Sequence, residues 1–229
     1  MERGEPIEVL GPAPPFVSRG GEKLEAALGR FDVVVAGRHA LDAGASTGGF
    51  TDCLLQRGAA SVTAVDVGYG QLHERLRSDP RVRVVERTNV RGLSRQDVDG
   101  PFAVIVADLS FISLRTVAPT LVSEFADPEA DLVLLVKPQF EAGRAEAARA
   151  RGVIRDPEVW RRTLQRVGSA IGEAGAAMMD AMVSPLLGAQ GNVEYLVHAR
   201  VGPSPTPGPD LDEVVAEAVR WRERGWRPS

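Results

Sequence analysis

A chain of 229 residues with 44% hydrophobic content can bury one substantial core, and one domain is the default at that length. No apolar run approaches the roughly 20 residues of a membrane span, and residues 1–15, rich in Pro and Gly, contain no apolar signal core, so no membrane association or export is expected and the cytoplasm is the expected place. The lone Cys53 excludes a disulfide framework and a Cys-based zinc site, and His39, His73 and His198 stand at no metal-ligand spacing, so no metal is expected.

The predicted elements alternate from about residue 40 to 200. A first strand over residues 40–42 is followed by helical spacing through Phe50, Leu54 and Leu55. A second strand covers residues 61–67, with a short helix over 71–78. A third strand covers 82–85, a fourth covers 102–109, and a helix covers 114–125. The fifth strand, 131–137, runs into an Arg-rich loop and a helix over 157–172. Two last strands, 176–183 and 193–201, are separated by a loop too short for a helical crossover, so the final strand is expected to run antiparallel. Continuous apolar strands separated by helices predict an α/β fold, a mostly parallel sheet of seven strands covered on both faces. The domain plan is an extended segment over 1–17, the α/β domain over 18–201, and a Pro-rich linker with a C-terminal helix over 202–229. That helix presents Leu211, Val214, Val215, Ala218 and Trp221 on one face.

The net charge of −4 argues weakly against a nucleic-acid partner, but the charge is unevenly spread. Residues 81–95, 142–166 and 219–229 carry +4, +4 and +3, which leaves an acidic body with local basic patches able to meet a phosphate backbone. A solvated helix face is the alternative explanation of each run.

The first strand opens into Asp42-Ala43-Gly44-Ala45-Ser46-Thr47-Gly48-Gly49-Phe50. Small residues let backbone approach a ligand, and the next helix offers its N-terminus. The spacing is neither the dinucleotide fingerprint nor a Walker loop. Asp66 and Val67 end the second strand, where a carboxylate can accept from both hydroxyls of a ribose. Asn89 follows the third strand, where an amide can meet an adenine edge, and Asp108 ends the fourth. Acids at successive strand ends beside a Gly-rich turn without a phosphate cradle fit S-adenosylmethionine and predict a Rossmann-like methyltransferase fold; glycines needed only for a tight turn are the alternative explanation.

Of 27 basic residues only Lys23 and Lys137 are lysines. Arg stays charged under all accessible conditions, whereas Lys can give up a proton, so the two positions suggest a task that Arg cannot perform. Lys23 lies in Ser18-Arg19-Gly20-Gly21-Glu22-Lys23, and Lys137 ends the apolar run Leu132 to Val136 ahead of Pro138.

Across residues 16–200 the chain resembles the TlyA (hemolysin A) family of ribosomal RNA 2′-O-ribose methyltransferases, whose catalytic domain is FtsJ-like. The resemblance rests on Val17-Ser18-Arg19-Gly20-Gly21-Glu22-Lys23-Leu24, residues 41–52, Val65 to Leu72, Glu86-Arg87-Thr88-Asn89, Ala107 to Leu114, Val136-Lys137-Pro138-Gln139-Phe140-Glu141 and Gly191-Asn192-Val193-Glu194-Tyr195. It implies a catalytic Lys-Asp-Lys-Glu tetrad on Lys23, Asp108, Lys137 and Glu194, with Lys137 as general base for a ribose 2′-hydroxyl of a cytidine-like nucleotide. It implies RNA, as rRNA or a ribosomal subunit, as the partner, with Arg19, Arg144, Arg149 and Arg151 on the substrate side. Two departures stand out: the family's usual N-terminal S4-type RNA-binding domain is not in this sequence, and Arg151-Gly152 stands where a Gly pair is usual. The competing expectations are an O-methyltransferase for a small nucleoside-like molecule and a non-enzymatic RNA-binding or hemolysin-like protein.

Overall fold

The computed structural model describes residues 14–203 and 207–225. Most of the segment expected over 1–17, and residues 204–206 of the Pro-rich linker, lie outside the described residues. Seven strands form one sheet: β1 (His39–Ala43), β2 (Ser61–Val65), β3 (Val82–Val85), β4 (Phe102–Ala107), β5 (Ala126–Val136), β6 (Ala176–Val183) and β7 (Tyr195–Val201). Their order is β3-β2-β1-β4-β5-β7-β6, and β7 is antiparallel to both neighbours while the remaining pairs are parallel. The sheet is therefore α/β, seven-stranded and mostly parallel, as its apolar runs predict.

Among the described residues, eight α-helices frame the sheet: α1 (Arg19–Arg30), α2 (Gly49–Gln56), α3 (Glu74–Arg77), α4 (Leu114–Thr120), α5 (Pro138–Glu141), α6 (Arg144–Arg149), α7 (Pro157–Glu173) and α8 (Leu211–Glu223). On one face Leu24, Ala27 and Leu28 of α1 and Phe50 and Leu54 of α2 pack with Val62, Val104 and Val133. On the other, Val117 of α4, Trp160 and Leu164 of α7 and Val214 and Ala218 of α8 pack against Leu41, Ile105 and Leu134. Strand residues facing alternate sides thus bury both faces, which is why these strands read as continuous apolar runs.

Several boundaries differ from the sequence reading. The second and fourth strands stop at Val65 and Ala107, so Asp66, Val67 and Asp108 stand just past the strand ends. Glu194 likewise precedes β7. The fifth strand starts five residues early, at Ala126. The helix expected over 114–125 changes at Leu121 into a π-helical turn that ends at Phe125, two residues after Pro119 interrupts the donor pattern. The Arg-rich loop after β5 contains α5 and α6, and α1 was not anticipated from the pattern at all.

Candidate active site

Register sets the level of the functional groups. Ala43 is paired with Val65 on one side and Ala107 on the other, so Gly44, Asp66 and Asp108 emerge side by side at one edge of the sheet. Across the antiparallel pair Val136 faces Tyr195, which brings Lys137 and Glu194 to that same edge. Gly44 has φ +91°, and a Cβ there would lie 2.5 Å from the Asp108 carbonyl oxygen, so only glycine lets these two turns touch.

Two cavities share this edge, with Gly44, Ser46 and Asp108 in the walls of both. The larger, about 620 Å³, is bounded by Asp66, Val67, Asn89, Arg91 and the stretch Asp108 to Ile112. The smaller, about 180 Å³, is bounded by Arg19, Lys23, Thr47, Gly49, Phe50 and the loop Leu187 to Ala189. Asp66 is held by backbone donors: Ser46 N–H reaches Oδ2 at 2.7 Å and Gly68 N–H reaches Oδ1 at 2.6 Å. Each oxygen keeps a second lone pair, which suits the two hydroxyl donors of a ribose. Asn89 Oδ1 accepts from Arg91 N–H at 3.0 Å, which fixes the amide in the cavity wall. Glycine at 44, a carboxylate at 66 and an amide at 89 fit the adenosyl part of S-adenosylmethionine.

Asp42 behaves differently. It is fully buried in β1, lines neither cavity, and accepts from Thr51 Oγ1 at 2.6 Å while Oδ1 has no hydrogen-bond partner among the described residues. Burial pushes its carboxyl up to about 7, partly opposed by the Thr51 bond and reinforced by the charge of Asp108. Its place is behind the Gly-rich turn, one residue inside the strand. Gly48 also lines neither cavity and instead gives α2 its left-handed entry at φ +97°.

The four tetrad positions form two ion pairs. Lys23 Nζ contacts Glu194 Oε2 at 2.6 Å in a nearly dry setting, and Gln139 Nε2 donates to Glu194 Oε1 at 3.4 Å. Lys137 Nζ is in ion-pair contact with Asp108 and donates to Ser110 Oγ at 3.0 Å. The loop before β7 presses on the first pair: a Cβ on Gly188 would lie 2.0 Å from Glu194 Oε1. The segments that carry Asp108 and Lys137 are clipped further along, where buried Glu141 accepts from Ser113 Oγ at 2.5 Å and Leu114 N–H at 2.6 Å.

Of the arginines expected on the substrate side, Arg19 lines the smaller cavity and donates to the Leu187 carbonyl at 3.0 Å. Arg149 and Arg151 are exposed on α6 and the turn after it and line neither cavity; α6 begins at Arg144. Asn192 Nδ2 donates to the Gly152 carbonyl at 2.8 Å, which ties that turn to the loop leading to Glu194.

Sequence reasoning passed over Gln71, Thr88, Ser110 and Phe111 in the larger cavity. Phe111 is 90% exposed, sits at φ +65° and stacks at a tilt against Phe140, centroids 5.1 Å apart. A bulky residue held in the left-handed region carries strain of a kind that clusters at functional sites. The available signal was an aromatic three residues beyond the acid that ends a strand.

The strand order, the antiparallel seventh strand and the acids level with the Gly-rich turn define a Rossmann-like, S-adenosylmethionine-dependent methyltransferase. Residues 16–201 match the FtsJ-like methyltransferase family, and the chain belongs to that family. It is 53% identical over 185 residues to the 16S/23S rRNA (cytidine-2′-O)-methyltransferase TlyA of Mycobacterium tuberculosis, covering 81% of this chain and 68% of the relative. It is 44% identical over 184 residues to hemolysin A of Brachyspira hyodysenteriae, covering 80% and 76%. A solved structure from Streptococcus thermophilus, provisionally classed as a hemolysin, superposes with a TM-score of 0.86 at 39% identity, covering 93% and 78%. Among the described residues no helix is long and apolar enough to cross a membrane.

Proposed function

We propose that this chain methylates the ribose 2′-oxygen of a cytidine-like nucleotide in ribosomal RNA, in the cytoplasm, with residues 18–201 as the catalytic unit. The observation that carries the reading is the pair of lysine–carboxylate contacts made by the only two lysines in the chain at the sheet edge where Asp108 lines both cavities and Lys23 the smaller, with Lys137 and Glu194 behind the walls as their partners. The M. tuberculosis relative is named for that reaction.

S-adenosylmethionine supplies an electrophilic methyl carbon on a sulfonium. The residues of the chain do the rest. Asp66 accepts from the ribose hydroxyls of the adenosyl group, Asn89 meets the adenine edge, and the Gly44 to Phe50 turn, with Val67, shapes the wall. A 2′-hydroxyl is a poor nucleophile until its proton has somewhere to go. Lys137, oriented by Asp108, is the group that would take the hydroxyl proton at Nζ as the oxygen–methyl bond forms and the methyl–sulfur bond breaks. The proton then passes from Nζ to water, so the positive charge lost from the sulfonium leaves as that proton. Lys23 and Glu194 hold the other wall and orient the oxygen, so positioning accounts for much of the acceleration. Phe111 offers its exposed ring to the target base. Arg19, Arg144, Arg149 and Arg151 take phosphates.

Labelled-methyl transfer to intact ribosomal subunits, naked rRNA and a nucleoside panel tests this. The expected product is a 2′-O-methylated nucleotide in rRNA. Binding should weaken with salt at a log–log slope of roughly −0.7 to −0.9 per phosphate contact, and replacing Arg149 and Arg151 by Ala should flatten it. Methyl transfer to a free nucleoside and none to rRNA, with a flat salt response, would move the reading to a small-molecule O-methyltransferase.

A further inference from the structure

The basic run over residues 81–95 has a use that the reaction centre does not absorb. Arg81 is committed to Asp79 at 2.7 Å, Arg83 to Asp99, and Arg95 donates to the Glu124 carbonyl at 3.0 Å. Arg87 and Arg91 differ: among the described residues neither has a carboxylate within ion-pair distance. The Arg87 guanidinium carbon lies 4.0 Å from the centroid of the Tyr69 ring, and Tyr69 is 67% exposed. The loops after β2 and β3 are bonded together beneath that stack. Arg87 N–H donates to the Gly68 carbonyl at 2.9 Å, and Gly70 N–H donates to Glu86 Oε1 at 2.9 Å. Arg87 itself is held at φ +54°, so the backbone aims its side chain at the ring.

A planar ring with a planar cation on it, left in water, is a surface that nucleobases take by stacking. Arg91 lies in the wall of the larger cavity, four residues beyond Arg87 on the chain that leaves β3, so a second positive charge without a carboxylate partner among the described residues follows the stacked one in sequence. Three strand spacings, about 14 Å, separate the end of β3 from the end of β4, where Asp108 stands. That distance is beyond the reacting nucleotide and within reach of one beside it.

We infer that Tyr69, Arg87 and Arg91 form a second RNA contact that seats an unpaired nucleotide flanking the target: the ring and guanidinium stack on its base, and Arg91 meets a phosphate. This rests on the RNA reading above. The test compares wild type, Tyr69→Ala, Tyr69→Phe and Arg87→Ala in methyl transfer to ribosomal subunits and naked rRNA at saturating S-adenosylmethionine. Affinity for S-adenosylhomocysteine is measured beside it by calorimetry. Tyr69→Ala should raise KM for RNA on the order of tenfold, and Tyr69→Phe should stay near wild type because the ring remains. Arg87→Ala should raise KM and reduce the salt slope by about one contact. S-adenosylhomocysteine affinity should hold within about twofold in every variant. An unchanged RNA KM in Tyr69→Ala overturns the contact, as does a loss of S-adenosylhomocysteine affinity that matches the KM change, since the loop then serves the cofactor. A wild-type enzyme inactive on every RNA sinks the underlying reading instead, and this contact with it.

Discussion

The β5–β7 pair carries a carboxylate cluster at each end, and the two clusters use different cations. At the end away from the cavities, Asp131 takes Arg38 on Oδ2 at 2.8 Å and His198 on Oδ1 at 2.9 Å, with Phe31 stacked on the imidazole. At the cavity end, Asp108 and Glu194 take the two lysines. Burial pushes the Asp131 carboxyl up, but the His198 and Arg38 hydrogen bonds outweigh it and hold the group below the usual carboxylate range. Both oxygens of Asp131 are occupied by partners that join β1, β5 and β7, so this end is a fastening. Where a charge has only to hold, the chain writes Arg or His; on the proposed mechanism, Lys stands at 137 because a compact ammonium must there meet an oxygen and exchange a proton.

The sharpest way to break that contrast is Lys137→Arg, which keeps the charge and removes proton exchange. Turnover should fall by about 100-fold or more while S-adenosylhomocysteine affinity, read by calorimetry, stays near wild type. A variant that retains more than about a tenth of the rate would make Lys137 a positioning cation of the same kind as Arg38.

At the other end, Asp131→Asn should cost about 2 kcal/mol of folding stability at neutral pH and leave kcat unchanged below the melting range. Because the folded pKa of Asp131 is depressed, its contribution is present above the unfolded value and disappears as pH falls through the folded one. Urea titrations at pH 7 and pH 3 should therefore show the variant's deficit shrinking in acid. A deficit in kcat at full folding would mean that the two ends are coupled.

The smallest effect concerns Asp42, whose shift has the opposite sign. Its folded pKa of about 7 lies above the unfolded value, so the folded chain binds the extra proton and stability drops as pH rises through that window. Between pH 6 and 8 the loss should be about 1 kcal/mol. Asp42→Asn should remove that slope, and an unchanged slope would assign it to another group.

The central strands were legible because each carries an apolar run buried on both faces, and the acids that follow them were legible because they interrupt those runs. The helix α1 was not. Three glycines in Arg19–Arg30 lower its intrinsic propensity, and it forms because Leu24 and Leu28 bury against the sheet and α2. Arg144–Arg149 is helical without an apolar stripe, so periodicity had nothing to register. The lysines announced themselves by rarity, and the resemblance named Asp108 and Glu194 with them, but which pairs with which was not legible: Lys23 meets Glu194 across 171 positions of sequence, a distance that no local pattern encodes. Phe111 was missed for the converse reason, since exposure of a single aromatic leaves no periodic trace.

The insertion of β7 between β5 and β6 has a consequence for the order of assembly. The sixth strand has no neighbour in the sheet until the seventh wedges beside it, and the seventh is the one that delivers Glu194. Contacts of such long sequence separation carry the largest closure entropy and are costly to form early. The turns over residues 44–108 rest on contacts of shorter separation and can form before Lys23 and Glu194 meet across 171 positions. On the proposed mechanism, methyl transfer therefore waits on the strand that delivers Glu194.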